Sequence, residues 1–456
     1  MEKKQQDMQD KRTQEKATQD KVTEDRRIAR RKRRQRSQIL AYILLIVMIV
    51  LLTAGIVAGV KFVNEKIQTK QEAQQEQQSV VDELLSTEET LTVPETTEEA
   101  VVELTPEQKL DEIVNAGIEV MPLEDKVAGL FIVTPESITG VSAAVQAGEG
   151  TQKALSQYAV GGIVYFSKNI QSAEQLSEMI DNTKLYSKYP LFIAVDEEGG
   201  KVSRIADAEL ADRVDSAKMI GETGDAGNAY QAGVTIGTYL TELGFNLNFA
   251  PVADLSNVEN SIMAQRAYGS DAAAVSPFVT SMMQGLTEQG VTACLKHFPG
   301  IGSSTQDTHD GLASTDRSLE EFRANEFVVF QAGIDAGANM IMVGHMSAPA
   351  LAGDNTPSSL SKAVVTDILR DEMNYKGVII SDALNMSAIS EYYSSEQAAV
   401  MALKAGCDMI LMPENFQEAY EGVIQAVADG TISEERINDS LRRIYRIKYA
   451  NKITAE

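Results

Sequence analysis

The stretch "GVIISD" at residues 377–382 shows the pattern that decides the fold, a short apolar run ending in a charged side chain. Because apolar and polar residues do not alternate in it, the run predicts a parallel strand covered on both faces. Seven more such runs follow residue 121: "GLFIVT" (129–134), "GGIVYF" (161–166), "LFIAVD" (191–196), "NLNFAPVAD" (246–254), "TACLKHF" (292–298), "MIMVGHM" (340–346) and "DMILMP" (408–413).

Amphipathic stretches between these runs predict helices, for example at 172–187, 227–244 and 319–337. Eight strand–helix units in about 330 residues fit the usual size of a (β/α)8 barrel. The fold predicted is therefore α/β, a (β/α)8 TIM barrel. A doubly wound open sheet is the alternative.

Charged residues and histidines gather at the carboxyl ends of the predicted strands. The carboxyl ends of barrel strands meet at one mouth, where active sites are found. The chain has only three histidines, and two of them lie in "KHFPGIGSSTQDTH" at 296–309. We therefore expect one site built from the residues at these ends: Asp196, Asp254, Lys296, His297, His345 and Asp382.

Three of the nearby residues have the chemistry of a glycosidase. A carboxylate at a strand end, as at Asp382, suits attack on an anomeric carbon, although Asp also caps helices well. Asp307 and His309 are spaced so that the carboxylate can orient the imidazole. An imidazole with a near-neutral pKa can donate a proton to a leaving oxygen and later accept one from water.

Four further residues are candidates for holding the sugar: Asp196, Arg266, Lys296 and His297. A metal site made by His297, His309 and an aspartate is the rival chemistry. The chain has no His-Glu-x-x-His motif, and Lys296 would repel a cation. We therefore expect no metal and no cofactor.

Five motifs in order make the chain resemble glycoside hydrolase family 3, in its β-N-acetylglucosaminidase branch. They are "MPLEDKVAGLFIV", "AVDEEGGKVSR", "QRAYGSD", "KHFPGIGSSTQDTH" and "GVIISDALNM", and the resemblance extends from about residue 121 to 449. Two residues depart from the family pattern. Lys201 stands where arginine is usual, and Ile301 stands where histidine is common.

The resemblance implies a role for each matching residue. Asp382 would be the nucleophile, His309 the acid/base with Asp307 as its partner, and the four candidates named above would hold the non-reducing sugar. The expected activity is retaining exo-β-N-acetylglucosaminidase, acting on glycans such as cell-wall fragments. A glycosidase or phosphorylase of the same fold with another sugar or acceptor, and an inactive wall-binding scaffold, are the alternatives.

Residues 39–60 form an apolar run without a charge, long enough as a helix to cross a bilayer at about 1.5 Å per residue. Residues 1–36 before it hold 14 Lys/Arg and 7 Asp/Glu, which predicts a cytoplasmic N-terminus by the positive-inside rule. A cleaved signal peptide is the alternative, although both the leader and the apolar run are long for one.

The expected organisation is a basic tail (1–38), a transmembrane helix (39–63), a disordered stalk (64–104) and a catalytic barrel (105–456). Residues 64–103 hold 11 Asp/Glu and 2 Lys/Arg, a composition that cannot bury enough apolar surface to fold. We expect a single-pass membrane protein with an extracellular, monomeric catalytic domain.

The overall charge of −25 argues against nucleic acid as a partner. Only two cysteines, Cys294 and Cys407, are present, and both lie in or beside apolar runs. They are therefore expected to be buried side chains rather than a disulfide.

Overall fold

The computed structural model describes residues 104–256, 258, 261–304, 306 and 311–453, with side chains to Ala450. At its centre is a closed barrel of eight parallel strands, in which each strand pairs with the next barrel strand along the chain and the last pairs with the first. The (β/α)8 prediction is confirmed and the open sheet is wrong. Each predicted run supplies one barrel strand: β1 Phe131–Val133, β2 Gly162–Val164, β3 Phe192–Val195, β6 Leu247–Asn248, β7 Thr292–Phe298, β8 Met340–Val343, β9 Val378–Ala383 and β10 Met409–Leu411.

A small antiparallel hairpin, β4 Glu197–Gly199 and β5 Val202–Ser203, follows β3 and was not predicted. The run at 246–254 is also shorter than expected as a strand, because β6 ends at Asn248. Beyond it the chain returns to the ladder only at Val252, which pairs with Lys296. Both departures lie at the carboxyl end of the barrel, where loops replace ladder pairing.

Helices surround the barrel, and their ends coincide with capping residues. Ser172 and Asp271 accept hydrogen bonds from the first turns of their helices, and Ser318 forms a capping box with Glu321. The predicted helix at 319–337 is two helices, because the chain leaves helical geometry at Asn325. The helices are Pro106–Glu119, Leu123–Ala128, Pro135–Thr139, Glu149–Gln157, Ala173–Tyr186, Arg204–Asp207, Ala217–Glu222, Ala226–Leu243, Ala272–Glu288, Leu319–Ala324, Glu326–Asp335, Pro349–Ala352, Ser387–Ser390, Ser395–Ala405, Phe416–Ala428 and Glu434–Ile453, with 3₁₀ turns at Ser167–Asn169 and Ser358–Leu360 and a π-helical segment at Ala363–Glu372.

The core lies inside the barrel and between the barrel and its helices. Every residue of β1, β2, β3 and β8 is buried. Two long helices, Ala226–Leu243 and Ala272–Glu288, approach closely through Gly233 and Gly285. A Cβ at Gly233 would lie 2.4 Å from a backbone oxygen of the facing helix, so only glycine permits this packing.

At the amino end of the barrel, the carboxylate of Asp408 is 0% exposed and lies just before β10. It accepts hydrogen bonds from Arg370 Nη2 at 2.6 Å and Arg443 Nη1 at 3.0 Å, and Arg436 Nη1 lies 3.6 Å away. We call these four residues the floor cluster. Because Arg436 and Arg443 belong to the helix Glu434–Ile453, the floor cluster fastens this helix across the base of the barrel.

No helix among the described residues is both long and apolar enough to cross a bilayer. The predicted tail and transmembrane helix, and the stalk up to residue 103, lie outside those residues. Cys294 and Cys407 are both buried and free, as the sequence predicted.

Candidate active site

Lys296, on β7, is a buried cation at the mouth of the barrel and only 2% exposed. Its Nζ lies 2.5 Å from Asp196 Oδ1 and 2.7 Å from Glu198 Oε1. Burial alone would lower the pKa of Lys296, but these two carboxylates raise it above its ordinary value. The ammonium therefore stays charged inside the protein.

Arg266 and Glu198 form a bidentate pair beside Lys296. Arg266 Nε donates to Glu198 Oε2 at 2.8 Å, and Nη2 donates to Oε1 at 2.6 Å. Burial would raise the pKa of Glu198, but Arg266 and Lys296 hold it well below its usual range. The predicted sugar-holding residues Asp196, Lys296 and Arg266 are thus joined in one network, with Glu198 at its centre.

His297 is held by the fully buried Asp254. The His297 Nδ1 lies 2.7 Å from Asp254 Oδ2, and the His297 backbone N–H donates to the same oxygen at 3.1 Å. A carboxylate accepts hydrogen bonds, so Nδ1 carries the proton and Nε2 is the nitrogen left for a ligand. Asp254 lay among the strand-end residues of the sequence, and the structure makes it the orienting partner of His297.

Ile301, where the family pattern often has histidine, contributes to the same arrangement through its backbone. Its N–H donates to Asp254 Oδ1 at 2.7 Å, and its side chain is buried. Lys201, the other departure, is exposed in the turn between β4 and β5. The backbone hydrogen bond of Ile301 does not depend on its side chain, so the change to isoleucine leaves the support of His297 in place.

Asp382 lies near the carboxyl end of β9. Burial would raise the pKa of its carboxyl, but His345 and His297 in their protonated forms, the Ala383 amide and Lys296 lower it below its ordinary value. The Ala383 N–H donates to Asp382 Oδ1 at 2.8 Å. The next helix begins at Ser387, with Met386 as its N-cap, so the alternative of a capping role for Asp382 is wrong.

Asp307 and His309 lie outside the described residues. The chain on either side of them is joined by described hydrogen bonds: Ser303 Oγ donates to Thr315 Oγ1 at 3.3 Å, and Thr315 N–H donates to Ser347 O at 3.0 Å. Their predicted role as the acid/base pair stays a prediction.

The structure adds two residues that the sequence reasoning did not assign. Glu198 is one of them. It follows Asp196 and Glu197 directly, and the sequence does not show which of these three acidic residues pairs with Arg266. The other is Arg204, whose Nε is buried with no hydrogen-bond partner in the part of the chain that the structure describes. Its guanidinium lies 6.0 Å from the ring centre of Phe166, just after β2. A buried donor without a partner is costly, so Arg204 is a candidate ligand-binding residue.

The mouth has an excess of carboxylates over fixed cations. We call this set the mouth cluster: Asp196, Glu198, Asp254 and Asp382 with Lys296 and Arg266. A charged carboxylate at a strand end, surrounded by hydrogen-bond donors, is the arrangement needed to attack an electrophilic carbon and stabilise developing positive charge. Across the described residues, no three His, Cys, Asp or Glu side chains are grouped so that they could hold a metal ion.

Known proteins resemble this chain over its barrel. Beta-hexosaminidase A of Pseudoalteromonas piscicida is 31% identical over 325 residues, which are 64% of this chain and 54% of that protein. The chain therefore spans about half the length of that relative. A beta-hexosaminidase of Chromobacterium violaceum is 34% identical over 286 residues, covering 61% of this chain and 79% of that protein.

A solved structure, a glycoside hydrolase family 3 beta-N-acetylglucosaminidase from Paenibacillus sp., superposes with a TM-score of 0.69 and 32% identity. The alignment covers 74% of this chain and 64% of that one. The family model described as "Glycosyl hydrolase family 3 N terminal domain" matches residues 122–447, which include the whole barrel. The chain therefore belongs to glycosyl hydrolase family 3.

Proposed function

We propose that this protein is a retaining exo-β-N-acetylglucosaminidase that removes terminal β-linked N-acetylglucosamine from glycans. The observation that carries the proposal is the carboxylate of Asp382 at the carboxyl end of β9, held by the Ala383 N–H in the same barrel mouth as the network of Lys296, Arg266 and Glu198. The relatives described above, a beta-hexosaminidase and a beta-N-acetylglucosaminidase, support this choice of sugar.

In the first step, Asp382 attacks the anomeric carbon and forms a glycosyl ester, while the bond to the leaving oxygen breaks. His309, oriented by Asp307, gives its proton to that oxygen. In the second step, His309 takes a proton from water as the water attacks the same carbon. The sugar then leaves with retained configuration, and Asp382 is free again.

The sugar would be held by donors that the ion network leaves available. The Lys296 ammonium has three N–H groups and two adjacent carboxylates, which leaves one N–H for a sugar hydroxyl. Within the described residues, the Arg266 pair with Glu198 uses Nε and Nη2 and leaves Nη1 for the sugar. Asp196, His297 Nε2 and Arg204 Nε complete the set of groups that we assign to sugar binding.

A chromogenic β-N-acetylglucosaminide assay on the purified full-length chain tests this function, with and without inorganic phosphate. We expect release of N-acetylglucosamine in both conditions, and the matching β-glucoside to be a poorer substrate. A product that is a sugar phosphate whenever phosphate is present would make the protein a phosphorylase. Absence of turnover on every chromogenic sugar would favour the wall-binding scaffold instead.

Replacement of His309 tests the acid/base assignment. His309→Ala should slow substrates with poor leaving groups most, because these need protonation as the bond breaks. A substrate with a very acidic aryl leaving group should lose much less in its first step. Equal losses across a series of leaving groups would contradict the role of His309.

We also propose that residues 39–60 anchor the chain in the cell membrane, with the barrel outside and cell-wall fragments among its substrates. The support is the apolar run and the basic residues before it. Protease added to intact cells should release the active barrel domain. Recovery of the mature protein from the medium, beginning after residue 60, would point to a cleaved signal peptide.

A further inference from the structure

His345, which follows β8, is a buried histidine next to the proposed nucleophile. It is 0% exposed, and its ring is bonded on both sides. Nε2 lies 2.9 Å from the backbone oxygen of Ala383, and Nδ1 lies 2.7 Å from Ser359 Oγ. These contacts join two parts of the connection that follows β8 to the end of β9 through one imidazole.

The partners determine which nitrogen of His345 carries the proton. The Ala383 carbonyl can only accept a hydrogen bond, so Nε2 must donate. The Ser359 hydroxyl can donate, so the lone pair of Nδ1 accepts from it in the neutral imidazole. The neutral ring with its proton on Nε2 therefore satisfies both contacts.

Ser359 is itself fixed beside His345. The Ser359 N–H donates to Gly344 O at 3.1 Å, and the Ser358 N–H and hydroxyl both donate to Met346 O, at 3.1 and 2.6 Å. The 3₁₀ turn Ser358–Leu360 is thus bonded to the residues on either side of His345. The imidazole has a rigid support.

The strand that His345 contacts, β9, has a bulge beside Asp382 and Ala383. Between β9 and β10, Ile380 pairs with Met409 and Ala383 pairs with Leu411, so β9 has one residue more than β10 between these pairs. Such a bulge redirects side chains and weakens the regular ladder. Asp382 lies in this bulge, and the Ala383 N–H donates to its carboxylate.

We propose that His345 is a positioning residue, which holds the Ala383 carbonyl and so keeps the bulge of β9 in the shape that aims Asp382 at the substrate. The inference rests on the proposed function, because it takes Asp382 as the nucleophile. His345 has no contact with the substrate in this role. Instead, His345 acts on Asp382 through the backbone of Ala383. The Ala383 carbonyl accepts a hydrogen bond from His345 Nε2, and the Ala383 N–H donates to the Asp382 carboxylate.

Two replacements of nearly equal size test the role. In His345→Gln the side-chain amide nitrogen falls near the position of Nε2 and can still donate to Ala383, whereas in His345→Asn it falls near Nδ1 and cannot reach. We expect His345→Asn to lose about 10²-fold in kcat with little change in KM, the cost of a misplaced reacting group. His345→Gln should recover most of that loss.

Equal losses in the Gln and Asn variants, or full activity in both, would overturn the proposal. Ser359→Ala keeps the imidazole and removes only its support, and should lower kcat by about 2- to 10-fold with KM unchanged, as for loss of one hydrogen bond. It is the deciding variant if the His345 variants do not fold. A Ser359→Ala protein with altered imidazole resonances and unchanged kcat would also overturn it.

A measurement independent of activity separates this inference from the proposed function. Because the chain has only three histidines, ¹⁵N-histidine labelling gives a simple spectrum in which protonated and unprotonated ring nitrogens are resolved. We expect His345, assigned by its loss in His345→Gln, to be protonated on Nε2 and unprotonated on Nδ1. The opposite tautomer would overturn the inference even in an active enzyme. The expected tautomer in a protein without glycosidase activity would overturn the proposed function alone.

Discussion

At the mouth of the barrel, Asp196 and Glu198 form ion pairs with Lys296 and Arg266, and the carboxylates of Asp254 and Asp382 act on these cations at longer range. At the floor a single carboxylate, Asp408, is surrounded by three arginines. Both clusters are largely buried, and both are built from ion pairs. They differ in the sign of their excess charge. At the mouth the excess is negative, which favours the positive charge that develops on the sugar ring during glycoside cleavage.

The two clusters also differ in whether their cations keep N–H groups that can bind a ligand. Lys296 and Arg266 keep N–H groups that the internal pairs do not use. At the floor, Arg370 also donates to the backbone oxygens of Tyr375 and Gly377, and Arg436 donates to Cys407 O. The mouth therefore keeps N–H donors for a ligand, whereas the N–H donors of the floor cluster bond to the protein and hold its helices and strands together. Changes at the mouth should affect catalysis, and changes at the floor should affect stability.

The largest expected effect is at the mouth. Asp382→Asn removes the covalent route and leaves the groups that we assign to sugar binding in place. We expect a loss of at least about 10³-fold in kcat, roughly 4 kcal/mol of barrier, with N-acetylglucosamine still bound. The melting temperature should not fall, which thermal unfolding would check. Near-normal turnover would remove Asp382 from the mechanism.

The matching change at the floor should have the opposite profile. Asp408→Asn leaves three buried or half-buried arginines short of a counter-charge, and breaking a buried pair typically costs about 3–5 kcal/mol. Denaturant unfolding should show this loss, while kcat/KM of the folded protein stays near the wild-type value. Asp439→Asn is the control, because it removes an exposed pair with Arg442, for which we expect at most about 1 kcal/mol. A large fall in kcat/KM for folded Asp408→Asn would contradict the claim that the floor cluster affects stability and not catalysis.

A change at the centre of the mouth network should have an intermediate effect. Glu198→Gln removes the charge shared by Arg266 and Lys296, so both donors lose their fixed positions. We expect kcat/KM to fall by about 10²-fold, close to 3 kcal/mol, mostly through KM because sugar binding depends on these donors. The exposed Glu222→Gln is the control and should have no effect. Unaltered KM in Glu198→Gln would show that the network is not part of sugar binding.

The last effect is smallest for each step measured, and it concerns Lys448, a residue outside the floor cluster whose Nζ donates to Gly161 O at 2.7 Å. Burial lowers the pKa of Lys448 from its ordinary 10.5 to about 7. Between these two values the unfolded chain binds a proton that the folded chain does not, so stability should rise with pH across this window, by at most about 1.4 kcal/mol per unit.

Replacement of Lys448 isolates this contribution from those of other titrating groups. The free energy of unfolding of Lys448→Met, relative to that of the wild type, should be highest at and below pH 7. This difference should decline as the pH rises towards 10. Urea unfolding at several pH values measures the difference. A difference that does not vary with pH would show that Lys448 is charged in the folded protein. That result would fit its positions 4.9 Å from the Phe192 ring centre and 5.0 Å from that of Tyr445.

The barrel could be predicted from the sequence because each strand is a local run of apolar residues, and all eight runs became strands. The hairpin at 197–203 could not, since "EEGGKVS" lacks a strand pattern and is shaped by glycines with positive φ at Gly199 and Gly200. The break at Asn325 was also hidden, because the apolar periodicity continues through it.

The same distinction applies to the site. Asp382, Lys296 and His297 could be named as candidates from the sequence because they lie at the ends of strands. Glu198 was missed because its role depends on Arg266, 68 residues away in the sequence, and Arg204 because only the structure shows its buried Nε. The floor cluster likewise joins residues that are close only after folding.

Covalent trapping tests the central claim most directly. A 5-fluoro N-acetylglucosaminide should slow hydrolysis of the glycosyl ester enough for the labelled protein to be digested and its peptides to be identified by mass spectrometry. We predict one sugar per chain, on the peptide that contains "SDALNM" at residues 381–386, and no label in Asp382→Asn. A label on the peptide containing Asp196 or Asp254 would contradict the assignment of Asp382 as the nucleophile.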